Sequence, residues 1–182
     1  KCRRRIHGVF QDKASHMTSA LQTTRKRNGS RAEDLLDVYH KICEIKRVAK
    51  IDRVSTPMRI IGHEHGVFRA VFSGKQGPDY RGYMLDGSAR FVMIECKSLD
   101  REDAPFPLSM LTDHQVQCLD DCHEAKGLSL VAIVRGPMRV LSVINWDYIT
   151  QCMAHGKRSI ATEVLDRVKV KHGEAYLERW KR

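Results

Sequence analysis

DYRGYMLDGSARFVMIECK, residues Asp79 to Lys97, is the stretch around which the chain is organised. Its second half, Phe91-Val92-Met93-Ile94-Glu95-Cys96-Lys97, is apolar on both faces and rich in β formers. That predicts a strand near the centre of a sheet, with material packed on either side. A buried strand does not end in charges without cause. Glu95 and Lys97 are two apart and so share a face, where a carboxylate can hold a hard cation and an ammonium can orient a water. Asp79, on the preceding strand, is the candidate second carboxylate.

Parity makes this reading testable. Asp86-Gly87 is a strong hairpin signal, but a strict two-residue loop pairs Asp79 with Ile94 and turns Asp79 away from Glu95. A shared face requires an odd loop or a bulge. The expectation is a three-residue loop Asp86-Gly87-Ser88 with Gly87 in the left-handed region, or a bulge near Gly82.

The 182 residues fit one domain with arms, and the apolar fraction of 42% supports a globular core. A formal net charge of +10 points to a polyanionic partner. Nucleic acid is favoured over a membrane surface, because no amphipathic anchor or transmembrane run is present. The six cysteines have no compact framework spacing and no apolar signal segment precedes the domain, which is the pattern of reduced thiols in the cytoplasm. His114, Cys118 and Cys122 recur at helical spacing, as zinc ligands or as ordinary buried cysteines.

Residues 1–29 read as a basic, flexible arm, with Arg25-Lys26-Arg27 available for phosphates; Ser15-His16-Met17 within it resembles a cloning junction. Ser30 to about Arg47 reads as a helix with one apolar stripe, Leu35, Val38, Tyr39, Ile42 and Ile45. Ser30 and Glu33 form a capping box, one reading of the Glu33 carboxylate. From Ala49 to Ile61 the pattern is extended, interrupted at Thr56-Pro57. His63-Glu64-His65 comes next in a glycine-flanked turn, then Val67–Phe72 as a further strand, and Gly74–Pro78 as the loop delivering Asp79. A charged connection leads to a helix from about Ser109 to Lys126, with Thr112 and Gln115 offering a later capping box. Leu128–Val134 reads as a buried strand, Met138–Ile144 as its neighbour and Asn145 to about Ala154 as a short helix. The divisions are 1–29, an N-terminal arm; 30–161, the main domain; and 162–182, a basic C-terminal extension.

Helix, strands, a hairpin ending in Asp…Glu-x-Lys, helix, strand is the element order of the PD-(D/E)XK nucleases. From about Asn28 to Ile160 the chain resembles the RecU-type Holliday junction resolvases of that superfamily. The residues that carry the resemblance are Asn28-Gly29 with Ala32-Glu33, Thr56-Pro57, Asp79-Tyr80-Arg81-Gly82, Glu95-Cys96-Lys97, Phe106-Pro107-Leu108, His114-Gln115 and Gly156-Lys157-Arg158-Ser159-Ile160. The resemblance implies an α/β, restriction-endonuclease-like core: a central mixed β-sheet flanked by helices, with basic N- and C-terminal extensions. It makes Glu33, Asp79, Glu95, Lys97 and Gln115 the catalytic set. Asp79, Glu95 and the Cys96 carbonyl become ligands for Mg2+, with Mn2+ as a substitute. Lys97 orients the attacking water or acts as base. Arg25, Lys26, Arg27, Arg81 and His114 are the candidate DNA contacts. A basic stalk that family members commonly insert before the Asp is reduced here to Gly62–Gly66 and its flanks.

The activity implied by the resemblance is that of a metal-dependent endonuclease, resolving four-way junctions by paired symmetric cuts. One site per chain implies a homodimer acting on branched DNA in the cytoplasm, away from membranes. Two other classes stay open at this level: a non-cleaving DNA-binding recombination module, and an endonuclease of the same fold acting on duplex DNA.

Overall fold

The computed structural model describes residues 31–55, 58–64, 67–72 and 77–181. In chain order the elements are α1 (31–45), β1 (Ala49–Arg53), β2 (Met58–Glu64), β3 (Val67–Phe72), β4 (Tyr80–Met84), β5 (Phe91–Leu99) and β6 (Phe106–Pro107). They continue with α2 (Asp113–Glu124), β7 (Leu128–Arg135), β8 (Val140–Asn145), α3 (Trp146–Ala154), β9 (Ser159–Ile160) and α4 (Thr162–Arg167). The fold is α/β, a mixed five-stranded sheet of order β1-β4-β5-β7-β8 with helices on both faces. β5 is central, as its two apolar faces predict, antiparallel to β4 and parallel to β7.

The uninterrupted apolar run of β7 is buried at every residue. Its side chains divide by parity between two cores. Leu130, Ala132 and Val134 join the cluster under α1, whereas Val131 and Ile133 join Leu119 of α2 and Trp146 and Ile149 of α3. Each fully buried Leu or Ile in these layers contributes about 2 kcal/mol. Two of the segments that carry the family resemblance meet in the second layer. Phe106 pairs with Ile160 and Pro107 with Ser159, and both apolar members of the first pair are buried.

Three expectations change. The extended segment from Ala49 to Ile61 is two strands in different sheets: β1 pairs with β4, while β2 and β3 form a separate two-stranded sheet. Of the projection read at Gly62–Gly66, Gly62, His63 and Glu64 belong to β2, and residues 65 and 66 lie outside the described residues. The stripe assigned to α1 is also not the one it buries. Ala32, Leu36, Tyr39, His40 and Cys43 face the sheet, and Val38 and Ile45 are 58% and 71% exposed. Small residues at 32 and 43 let the helix axis sit close to the strands, a fit that hydrophobicity alone does not register. The C-terminal segment, finally, contributes to the main core through Val170, Ala175, Tyr176 and Leu177. Tyr176 is fully buried, bonds His40 Nε2 through its hydroxyl at 2.8 Å and meets Tyr39 edge-on.

α1 ends in a Schellman motif, with Val48 N donating to Cys43 O at 2.8 Å and Arg47 N to Glu44 O at 3.0 Å. Arg47 takes the left-handed conformation at φ 53° and turns the chain directly into β1. α2 starts at the later of its two candidate positions, capped by Thr112 in a capping box with Gln115.

Candidate active site

The β4–β5 register pairs Tyr80 with Ile94 and Gly82 with Val92. Continued by one residue, it sets Asp79 opposite Glu95, on the face that Arg81 and Lys97 share. At the other end Met84 N donates to Arg90 O at 2.9 Å, which leaves the connection 85–89. That connection is odd, as the shared face demands. It is wider than Asp86-Gly87-Ser88 because Leu85 N is taken by Val48 O at 2.8 Å. Asp86 Oδ1 accepts from Ser88 N at 2.9 Å inside the turn, and Gly87 has φ 91°. No bulge exists at Gly82, which pairs in register on both sides.

Asp79 is anchored through its backbone and its side chain. Its carbonyl accepts from Val54 N at 2.8 Å and its Oδ2 from Cys96 N at 2.8 Å. Glu95 is only 1% exposed. Its Oε1 receives Lys97 Nζ at 2.8 Å and the Gln115 side-chain amide, while its buried Oε2 has no partner among the described residues. Burial, and then the neighbouring charge of Asp79, push the Glu95 carboxyl up to about 7. The Gln115 Oε1 accepts from Lys97 Nζ at 3.1 Å and from Thr112 N at 3.0 Å. One amide therefore closes the cap of α2 and fixes both charged groups at the end of β5.

Two crowded carboxylates, one of them with a buried empty oxygen, fit a hard cation. Among the described residues no three His, Cys, Asp or Glu side chains gather as a metal cage. Mg2+ needs no such cage, because it keeps several waters and commonly takes one or two carboxylates. Asp79 and Glu95 would hold it, with a backbone carbonyl such as that of Cys96. The Cys96 thiol plays no part, being turned toward the α1-side core and pushed well above its ordinary range by burial and the adjacent carboxylates.

Glu33 lies on α1, across the sheet from Gln115, and its carboxylate is paired with Arg53 at the end of β1. Arg53 also approaches Asp37 Oδ2 at 3.5 Å. Buried Tyr80 ties this cluster to Asp79's own strand, its hydroxyl lying 2.7 Å from Asp37 Oδ1 and 2.8 Å from the Glu33 carbonyl oxygen, both acceptors. Burial and Asp37 push the phenol far above its usual range, so it remains a donor. The sequence reading missed Arg53, Asp37 and Tyr80 as supports of the site. A usable signal was present, since Arg53 closes a strand just before Thr56-Pro57. The Ser30 half of the expected capping box lies outside the described residues, as do Arg25, Lys26 and Arg27. Arg81 is exposed beside Asp79, and His114 precedes Gln115 with its ring 3.9 Å from Cys118 Sγ.

Among solved structures, a 1.6 Å structure of Archaeoglobus fulgidus Hjc, a Holliday junction resolvase from an archaeal hyperthermophile, is similar with a TM-score of 0.46 and 17% sequence identity. The match covers 81% of this chain and 94% of that one. No curated protein matches. Residues 27–177, a span that contains Glu33, Asp79, Glu95, Lys97 and Gln115, match the family model for Recombination protein U, and the chain belongs to the RecU family.

Proposed function

We propose that this chain is a Holliday junction resolvase that cuts branched DNA hydrolytically with Mg2+, in two symmetric cleavages made by a homodimer. The observation that carries the reading is the grouping of Asp79, Glu95 and Lys97 on one face of the central hairpin, with the buried Glu95 Oε2 unpartnered among the described residues. The cation, when bound, supplies charge neutralisation at the scissile phosphate and at the departing 3′ oxygen. Asp79 and Glu95 would hold it there, and Asp79 is itself held by the Cys96 amide. Lys97 Nζ, fixed between Glu95 and Gln115, presents its remaining donor capacity to the water that attacks phosphorus. Arg81, exposed on the same face, is placed to meet the phosphate backbone. Membership of the RecU family supports the junction-resolving class, which implies branched DNA as substrate and the cytoplasm as the place of action.

Two symmetric cuts need two sites related by a two-fold axis. α1 offers a self-complementary surface for that axis. Leu35, Val38, Ile42 and Ile45 keep the alternating three–four spacing of a helix-packing seam, and two of its members, Val38 and Ile45, are exposed. An antiparallel copy centred near residue 40 would set Leu35 against Ile45 and Val38 against Ile42. Asp34 of each copy would then come level with Lys46 of the other.

The test is cleavage of a mobile four-way junction and of linear duplex, in Mg2+ and in EDTA. Paired nicks in the junction alone, abolished by EDTA, are expected. Asp79→Asn and Lys97→Ala should bind the junction yet cut it at least about 100-fold more slowly. Equal cutting of duplex would make the chain a duplex endonuclease, and binding without cutting would make it an accessory module.

A further inference from the structure

Ser98 and Leu99, the residues that come after Lys97 in β5, line a cavity of about 380 Å3 outside the carboxylate site. Arg31 at the start of α1 and Arg139 in the β7–β8 turn form its other walls, and Asp100 is the carboxylate among its lining residues. Neither arginine makes an ion pair with a described residue. Arg135, close by in sequence, is occupied: its guanidinium reaches Asp166 Oδ1 at 2.8 Å and the Glu102 carbonyl at 2.8 Å. The turn is tied to the end of β5, with Gly136 N donating to Leu99 O at 2.9 Å. The backbone of the turn is therefore fixed against the end of β5.

We propose that Arg31 and Arg139 clamp one backbone phosphate of the DNA. The inference rests on the nucleic-acid substrate proposed above and adds a binding site to it. Two arginines lining a pocket of this size together with a serine suit a phosphodiester better than a base or an apolar ligand. Leu99 lies two residues beyond Lys97, roughly 7 Å along the strand. Ser98 and Val134 point to the α1 side of the sheet and Lys97 to the α2 side, so the clamp holds a phosphate around the strand end from the one at Lys97.

The experiment is a salt titration of junction binding and of duplex binding in EDTA, using full-length protein. Arg31→Gln/Arg139→Gln should weaken binding and reduce the slope of log K against log salt by about 1, the loss of one phosphate contact. Ser98→Leu, which fills the pocket without changing charge, should reproduce the loss. Arg101→Gln, whose exposed guanidinium is already paired with Asp103, should leave the slope unchanged. An unchanged slope in the double variant overturns the clamp, as does wild-type binding by Ser98→Leu, which would mean diffuse surface charge. The duplex arm separates the two readings: wild type that binds duplex but not junction removes the resolvase, and the clamp is then judged on the duplex slope. Wild type that binds neither DNA overturns both.

Discussion

Gln115 uses one amide for three partners, so its removal should be felt in two measurements. Gln115→Ala leaves Lys97 and Glu95 without their shared tether and removes the side-chain half of the α2 capping box, while Thr112 Oγ1 still accepts from the backbone amide of residue 115. Loss of a group that orients catalytic residues typically costs about 10- to 100-fold in activity, and loss of one hydrogen bond of the capping box about 0.5–1 kcal/mol. Junction cleavage should therefore fall within that range and the urea midpoint should drop, with junction binding retained. Two buried titrating groups lead to a second outcome. Burial lowers the His40 imidazole to about 3, so His40 is neutral when folded and its contribution is lost as pH falls below the unfolded value near 6.5. Glu95 runs the other way: raised to about 7, it folds protonated, and its contribution is lost as pH rises through 7. Between roughly pH 4.5 and 6.5 the two slopes, about 1.4 kcal/mol per pH unit each, oppose one another. In EDTA, Glu95→Gln should unmask stability that falls with acid, and His40→Gln stability that rises with acid, both read from urea unfolding. Glu95 and Lys97 were legible as a pair because their two-residue spacing decides their face. The ion pair between Glu33 and Arg53 was not, since it depends on how far α1 lies above β1.

Among the elements, the β4–β5 hairpin was the most legible. The apolar run of β5 declared its central position, and the parity of the loop followed once Asp79 and Glu95 were required to share a face. The width of the turn was hidden, because it is set by Leu85 bonding across to Val48 in another part of the chain. The α1 stripe misled for a related reason: two apolar stripes coexist on that helix, and the buried one carries Ala32, His40 and Cys43. Gly82 sits where β4 passes close against the β1 backbone. A Cβ there would collide with the Lys50 carbonyl oxygen and lie 2.8 Å from Ile51 Cα, both backbone atoms that cannot turn aside. Gly82→Ala should therefore destabilise by about 2 kcal/mol or more, read as a lowered thermal midpoint, and should loosen β1 and Arg53 with it. A midpoint equal to that of wild type would show that β1 shifts without penalty.

At the scale of the whole molecule, the charge balance and the exposed seam on α1 address different partners. The net +10 suits DNA, and the proposed dimer gives the apolar seam a second copy. Val38→Asp/Ile45→Asp, two changes at exposed positions, should give a folded monomer by sedimentation that nicks one strand of the junction without the paired second cut. A dimer that survives both substitutions would exclude α1 as the two-fold surface. The C-terminal segment belongs to this scale too, because only the closed fold brings Tyr176 onto His40, 136 positions earlier in the chain. Composition saw basic residues in that segment, and the aromatic anchors among them are what join it to the core. The β2–β3 hairpin has a different bearing. It leaves the main sheet after β1 and returns before β4, and β1 and β4 remain hydrogen-bonded neighbours across its base. An insertion with that attachment is interchangeable: it can lengthen, shrink or be replaced over evolutionary time without moving Asp79, so the projection can drift while the β4–β5 hairpin stays constant.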